Sequence, residues 1–171
     1  VGKYIQNHTN RNQSISTLKQ EVQEVLITNI LPYWMNRMVD EENGGFYGRI
    51  TGMEQRMPEA EKGAILNARI LWTYSAAYRL LKKEEYLAMA TRAKEYIIHH
   101  FYDKEFGGIY WSLDCKGAPL DTKKQIYALG FAIYGLSEYN RATGDKEALD
   151  YAVRLFESIE AYSFDTVKNG Y

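Results

Sequence analysis

Hydrophobic positions along the chain predict two kinds of helix in alternation. From Ser14, the apolar residues Leu18, Val22, Val25, Leu26 and Ile30 recur at helical spacing between polar ones. The spacing predicts an amphipathic helix that ends or kinks near Pro32 and runs out by Met38. The segment from about Glu59 to Leu81 differs, because its middle, from Ile65 to Tyr78, is apolar nearly all round. Such a helix needs protein on most sides. After a break at Lys82-Lys83-Glu84, the helix from Glu85 to about Phe101 carries one stripe, Leu87, Ala90, Ala93, Tyr96 and Ile97. The alternation then repeats. Lys124 to Tyr139 is apolar on most sides, and Lys146 to Tyr162 has one apolar face through Leu149, Ala152, Val153, Leu155, Phe156 and Ile159. Between them Gly144 is placed to end a helix and Asp145 to cap the next. Residues 1–13 are polar and without period, and are expected to form a flexible N-terminal arm.

The linkers repeat as well. Asp40-Glu41-Glu42-Asn43-Gly44-Gly45-Phe46-Tyr47 returns as Asp103-Lys104-Glu105-Phe106-Gly107-Gly108-Ile109-Tyr110, and Asp165 to Tyr171 begins the pattern again. The aspartates lie 63 and then 62 residues apart, a period that marks a repeat architecture. The alternation after Gly45 predicts a short strand or hairpin over Phe46 to Ile50, and a second hairpin is expected from Trp111 to Pro119. Helices apolar all round belong to an inner layer and one-faced helices to an outer one. Repeating the pair gives an open α-solenoid or a closed ring. About six such units would suit an all-α, (α/α)6 barrel of helical hairpins, of which 14–171 would form the N-terminal part, about two and a half repeats, cut at the start of the third. Each long loop joins an outer helix to the next inner one, so the loops, with their short β-hairpins, are expected on one face, where function sits.

Composition removes several alternatives. A net charge of −1 offers no electrostatic case for nucleic acid or an anionic membrane, and no run approaches the length of a transmembrane span. Cys115 is the only cysteine, which excludes an internal disulfide and points to a cytoplasmic setting. The 15 tyrosines raise aromatics to 14% of the chain, enough either for core area or for lining a sugar-binding cleft. Zinc-ligand spacing and phosphate loops are both missing, so neither a metal nor another cofactor is expected. The acidic pairs Asp40 with Glu42 and Asp103 with Glu105 resemble glycosidase carboxylates or a calcium loop, but their recurrence in each repeat points to loop shaping. His99 and His100 end an outer helix and His8 lies in the arm, so none is expected to be catalytic.

The segments Gly44-Gly45-Phe46-Tyr47-Gly48-Arg49, Ala68 to Tyr78, Gly107-Gly108-Ile109-Tyr110-Trp111 and Lys124 to Tyr134 resemble the N-terminal part of the N-acylglucosamine 2-epimerase family, most closely its cellobiose 2-epimerase branch. The resemblance begins near Leu18 and covers less than half of a family member. It implies an (α/α)6 barrel with a central cleft, and epimerisation at C2 of a reducing-end glucose through a cis-enediolate. The two histidines that move the proton in the family belong to later repeats. An arginine of the first Gly-Gly loop steadies the enediolate, which makes Arg49 the catalytic candidate. Tyr110, Trp111, Tyr127 and Asn67 are the substrate-binding candidates. Each has a structural alternative: the aromatics pinning the hairpin to the rim, and Asn67 and Tyr127 serving hydrogen bonds in the barrel wall. Arg69 is expected to be buried and to brace loops through a carboxylate. The partner implied is a mono- or disaccharide. An aldose–ketose isomerase, an α/α-barrel glycoside hydrolase and a non-catalytic α-solenoid are the rival readings.

Overall fold

The computed structural model describes the backbone of residues 2–171 and the side chains of residues 14–171. The side chains of the expected arm, 1–13, lie outside that description. Two compact units are present, Val1–Met38 and Val39–Tyr171.

In the first unit, α1 (Gly2–Val25) passes through a π-helical turn, Leu26–Ile30, into α2 (Leu31–Arg37). Pro32 stands in the first turn of α2, directly after the π-turn. The expected kink is thus a change of helical register just before the proline, and the helix resumes after it. Leu18, Val22 and Val25 are exposed, while Leu31 and Met38 are buried.

The second unit holds two helical hairpins. In the first, α3 (Ala64–Leu81) is followed by α4 (Glu84–Tyr96) and a π-turn, Ile97–Phe101. In the second, α5 (Ile126–Thr143) is followed by α6 (Lys146–Ser163). The α3 and α5 helices pack side by side, α4 backs onto α3 and α6 onto α5. That is the inner and outer layering expected from the two hydrophobic patterns. Leu71, Tyr74, Ala128, Ala132 and Leu136 are buried on the inner helices, with Ala90 and Ala93 buried on α4 and Ala148, Ala152 and Leu155 on α6. Gly144 ends α5 in the left-handed region, and the Asp145 side chain accepts from the Ala148 amide at the start of α6.

The period is structural as well as sequential. Trp72 and Tyr134, one period apart, stack at 4.9 Å with rings 10° from parallel. The inner helices are nevertheless open on one side among the described residues: Tyr127 and Tyr134 of α5 are 62% and 47% exposed. The helix has α3 and α6 as its main neighbours, and its remaining apolar side is covered only in part, by the Trp72 ring of α3 against Tyr134.

Several boundaries differ from the sequence expectation, beginning with α1, whose backbone is helical from Gly2 and not from Ser14. The segment Phe46 to Ile50 is no regular strand; it makes two isolated bridges, Val39 with Phe46 and Ile50 with Arg56. The helix expected from Glu59 begins at Ala64, because Lys62–Gly63 instead forms a strand, β1. It pairs antiparallel with β2 (Ser112–Leu113), which pairs with β3 (Pro119–Asp121). The second expected hairpin is therefore present, and it has recruited a strand from the preceding loop. The sheet brings both Gly-Gly loops to one end of the helices.

Candidate functional site

Each copy of the repeated loop is folded by its aspartate. Asp40 Oδ1 accepts from the amides of Glu42 (3.1 Å) and Asn43 (3.0 Å), and Asp103 Oδ1 from those of Glu105 (3.0 Å) and Phe106 (3.1 Å). Asp165 does the same with Val167 and Lys168. The second carboxylate oxygen takes a lysine from just before the next inner helix, Lys62 at 2.7 Å from Asp40 and Lys124 at 2.6 Å from Asp103. Burial pushes both carboxyls up, but the lysine and the turn amides outweigh it, holding Asp40 below the usual range and Asp103 at about 2. These acidic groups shape the loops, as their recurrence suggested.

The first loop delivers Arg49 to a cleft of about 780 Å3. Gly48 makes this possible: a Cβ there would lie 1.8 Å from the Glu61 carbonyl oxygen, so only glycine lets the two backbones run together. Beyond Arg49 the chain turns back, with the Met57 amide donating to the Arg49 carbonyl at 3.1 Å. The returning arm supplies Arg56, Met57, Pro58 and Glu59 to one wall, and Trp111 and Ser112 of the second loop supply another. The first turn of α3, Ala64 to Leu66, also lines the cleft. No side chain caps that helix start, so its partial positive charge adds to those of Arg49 and Arg56. Glu59 and Glu61 supply the opposing charge, and Glu61 accepts from the Ser112 hydroxyl at 2.9 Å. The arginines and the helix start offer donors to a group on which negative charge develops, beside apolar side chains and the Trp111 ring.

Of the five candidates, Arg49 and Trp111 line this cleft and the others do not. Tyr110 lies in a second hollow of about 320 Å3 with His99, His100, Asp103 and Glu105. Neighbouring residues of an extended chain point to opposite sides, so one of Tyr110 and Trp111 had to face away. Burial and the Asp103 charge raise the Tyr110 hydroxyl above its ordinary pKa. Tyr127, on the first turn of α5, is exposed and meets Phe131 edge-on at 5.0 Å. Asn67 is fully buried; its amide donates to the Gly63 carbonyl at 2.9 Å, which fastens α3 to β1, and its Oδ1 has no partner. Arg69, expected to be buried, is exposed because it stands on the open side of α3. Glu138 instead takes Arg79, at 2.6 Å between α3 and α5. His99 pairs with Glu95 at 2.9 Å and His100 stacks on Tyr96 at 4.4 Å. Sequence reasoning missed Arg56, Glu59 and Glu61, whose only signal was charge clustered between a predicted hairpin and a predicted helix. Among the described residues, no group of three or more His, Cys, Asp or Glu could hold a metal ion, and no helix is long and apolar enough to cross a membrane.

Inner helices side by side, each backed by its own outer helix and joined by loops gathered at one end, define the hairpin unit of an (α/α)6 barrel. The chain belongs to the N-acylglucosamine 2-epimerase family, which it matches over residues 45–171. It is 76% identical over 154 residues to a cellobiose 2-epimerase of Bacteroides fragilis, an alignment covering 90% of this chain and 39% of that relative. A cellobiose 2-epimerase of Ruminococcus albus is 48% identical, covering 85% of this chain and 37% of the relative. Among solved structures, the cellobiose 2-epimerase of Bacillus thermoamylovorans superposes with a TM-score of 0.88 at 42% identity, over 91% of this chain and 40% of that one. The chain thus spans about two fifths of the length of these relatives.

Proposed function

We propose that the protein is a sugar 2-epimerase that converts the reducing-end glucose of cellobiose-type disaccharides to mannose. The observation that carries this reading is the 76% identity to a protein named cellobiose 2-epimerase, together with an arginine delivered to a cleft that Trp111 also lines. In the open-chain sugar, removal of the C2 proton leaves a cis-enediolate whose negative charge spreads over O1 and O2. Arg49 stabilises that charge as it develops, with the positive end of α3 beside it. Return of a proton to the opposite face of C2 gives the epimer. Trp111 offers a ring face for the sugar. Tyr110, Tyr127 and Asn67 act from outside this cleft, as supports of the loops and helix starts. The unpaired Cys115 agrees with a reducing, cytoplasmic setting.

The test is to incubate the full-length protein with cellobiose in heavy water and follow the reducing-end sugar by NMR. Deuterium at C2 with appearance of the mannose epimer is expected. A ketose product would move the reading to an aldose–ketose isomerase, which shares the enediolate, and no exchange with no new sugar would overturn both.

A further inference from the structure

The two Gly-Gly loops obey the same aspartate rule, yet they are not held equally. Arg92, on the outer helix α4, reaches back to the first loop with three of its donors. Its Nε donates to the Gly45 carbonyl at 3.0 Å, Nη2 to the Asp40 carbonyl, and Nη1 to the Glu41 carboxylate at 3.3 Å. The guanidinium thereby bridges the first and the sixth residue of the turn, from one rigid fork. One period later stands Arg154, which pairs along its own helix with Asp150 at 2.7 Å, lies 5.4 Å from the Tyr151 ring and meets the second loop through the Tyr102 side chain, without the grip on two loop carbonyls that Arg92 has. The lysines differ in the same sense: Lys62 is 1% exposed in its ion pair and Lys124 30%. The extra grip falls on the loop that leads, through the fully buried Phe46 and the tight Gly48 contact, to Arg49.

We propose that Arg92 is a positioning residue for Arg49: by tying the Asp40 and Gly45 carbonyls to α4, it fixes where the Arg49 guanidinium stands in the cleft. The proposal rests on the epimerase reading for its effect on chemistry, but its effect on the loop stands apart from that reading. An arginine that must meet a developing oxyanion tolerates little displacement, since a misplacement of about 1 Å can cost on the order of 100-fold in rate.

The experiment compares Arg92→Ala, Arg92→Lys, Arg49→Ala and the double variant R49A/R92A in the full-length protein. Amide hydrogen exchange reads the loop directly. Exchange over 39–49 is expected to quicken at least about 10-fold in R92A while 102–111, the equivalent loop, stays unchanged. R92K, which keeps the charge but replaces the planar fork with a single ammonium, is expected to fall between, and it supplies the answer if R92A does not fold. For C2 deuterium exchange, R92A is expected to lower kcat by about 10–100-fold with KM within about threefold. The double variant is expected to lose no more than R49A alone. Unchanged exchange over 39–49, or a uniform rise across the protein, overturns the proposal. Fully additive losses in the double variant overturn it too, because Arg92 would then act without Arg49. A wild-type protein with no C2 exchange removes the epimerase reading and leaves hydrogen exchange to decide the clamp.

Discussion

Lys62 and Lys124 occupy the same place in successive repeats and bind the same aspartate, yet their surroundings differ. The Lys62–Asp40 pair is sealed, at 1% and 0% exposure, whereas Lys124 keeps contact with water. Removing one partner of a sealed pair strands the other charge. Lys62→Ala is therefore expected to destabilise by about 3–5 kcal/mol, and Lys124→Ala by about 1 kcal/mol. Denaturant melts of the two variants check this, and equal losses would show that burial does not separate the pairs. The aspartates were legible in the sequence because they recur, but their lysines were not: each lay inside a stretch read as helix, where a lysine signals a solvated face. Arg92 was hidden in the same way, on the polar side of a one-faced helix. Arg49 was reached through resemblance, since nothing in its spacing separated it from a surface charge. The phase that sends Trp111 into the cleft and Tyr110 out of it requires knowing where β2 begins.

At the scale of the element, the two-layer arrangement was readable because inner and outer helices differ in how much of their circumference is apolar. Strand Lys62–Gly63 was not, since its partner lies some 50 residues away and two residues carry no periodicity. The contact between α3 and α5 is set by Gly135, where a Cβ would come within 2.7 Å of the Ala68 carbonyl oxygen and 3.2 Å of Leu71. Gly130, on the same helix, has open space around it. Both gain the same helix propensity on becoming alanine, so their comparison isolates packing. Gly130→Ala is expected to stabilise by about 0.5–1 kcal/mol. Gly135→Ala is expected to destabilise by about 1–3 kcal/mol, because the overlap is with backbone that cannot swing aside. Thermal melts of both variants decide it; stabilisation by both would mean the helices have slack.

At the scale of the molecule, the repeated aspartates make the fold sensitive to acid in a defined window. Asp40, Asp103 and Asp165 all titrate below their ordinary value of 3.8, Asp103 at about 2. A carboxyl depressed in the folded state contributes stability that is fully present above the unfolded value and lost as pH falls through the folded one. Stability is thus expected to hold down to about pH 4 and to decline from there toward pH 2, as followed by circular dichroism in denaturant at each pH. Asp103→Asn is expected to lower the plateau and flatten the decline, and a wild-type profile level between pH 4 and 2 would contradict the account.

The sheet carries a further consequence. β1 belongs to the strand entering one inner helix, while β2 and β3 precede the next, so the mouth is stitched across the boundary between repeats. Trp111, next to β2, lines the same cleft as Arg49 from across that stitch. The unit that can be exchanged between relatives is therefore not the hairpin of helices that the period suggests. A chimera joined between α4 and the second loop would mismatch β1 with a foreign β2. One joined within α5, beyond both strands, would carry the whole mouth over as a single inherited piece.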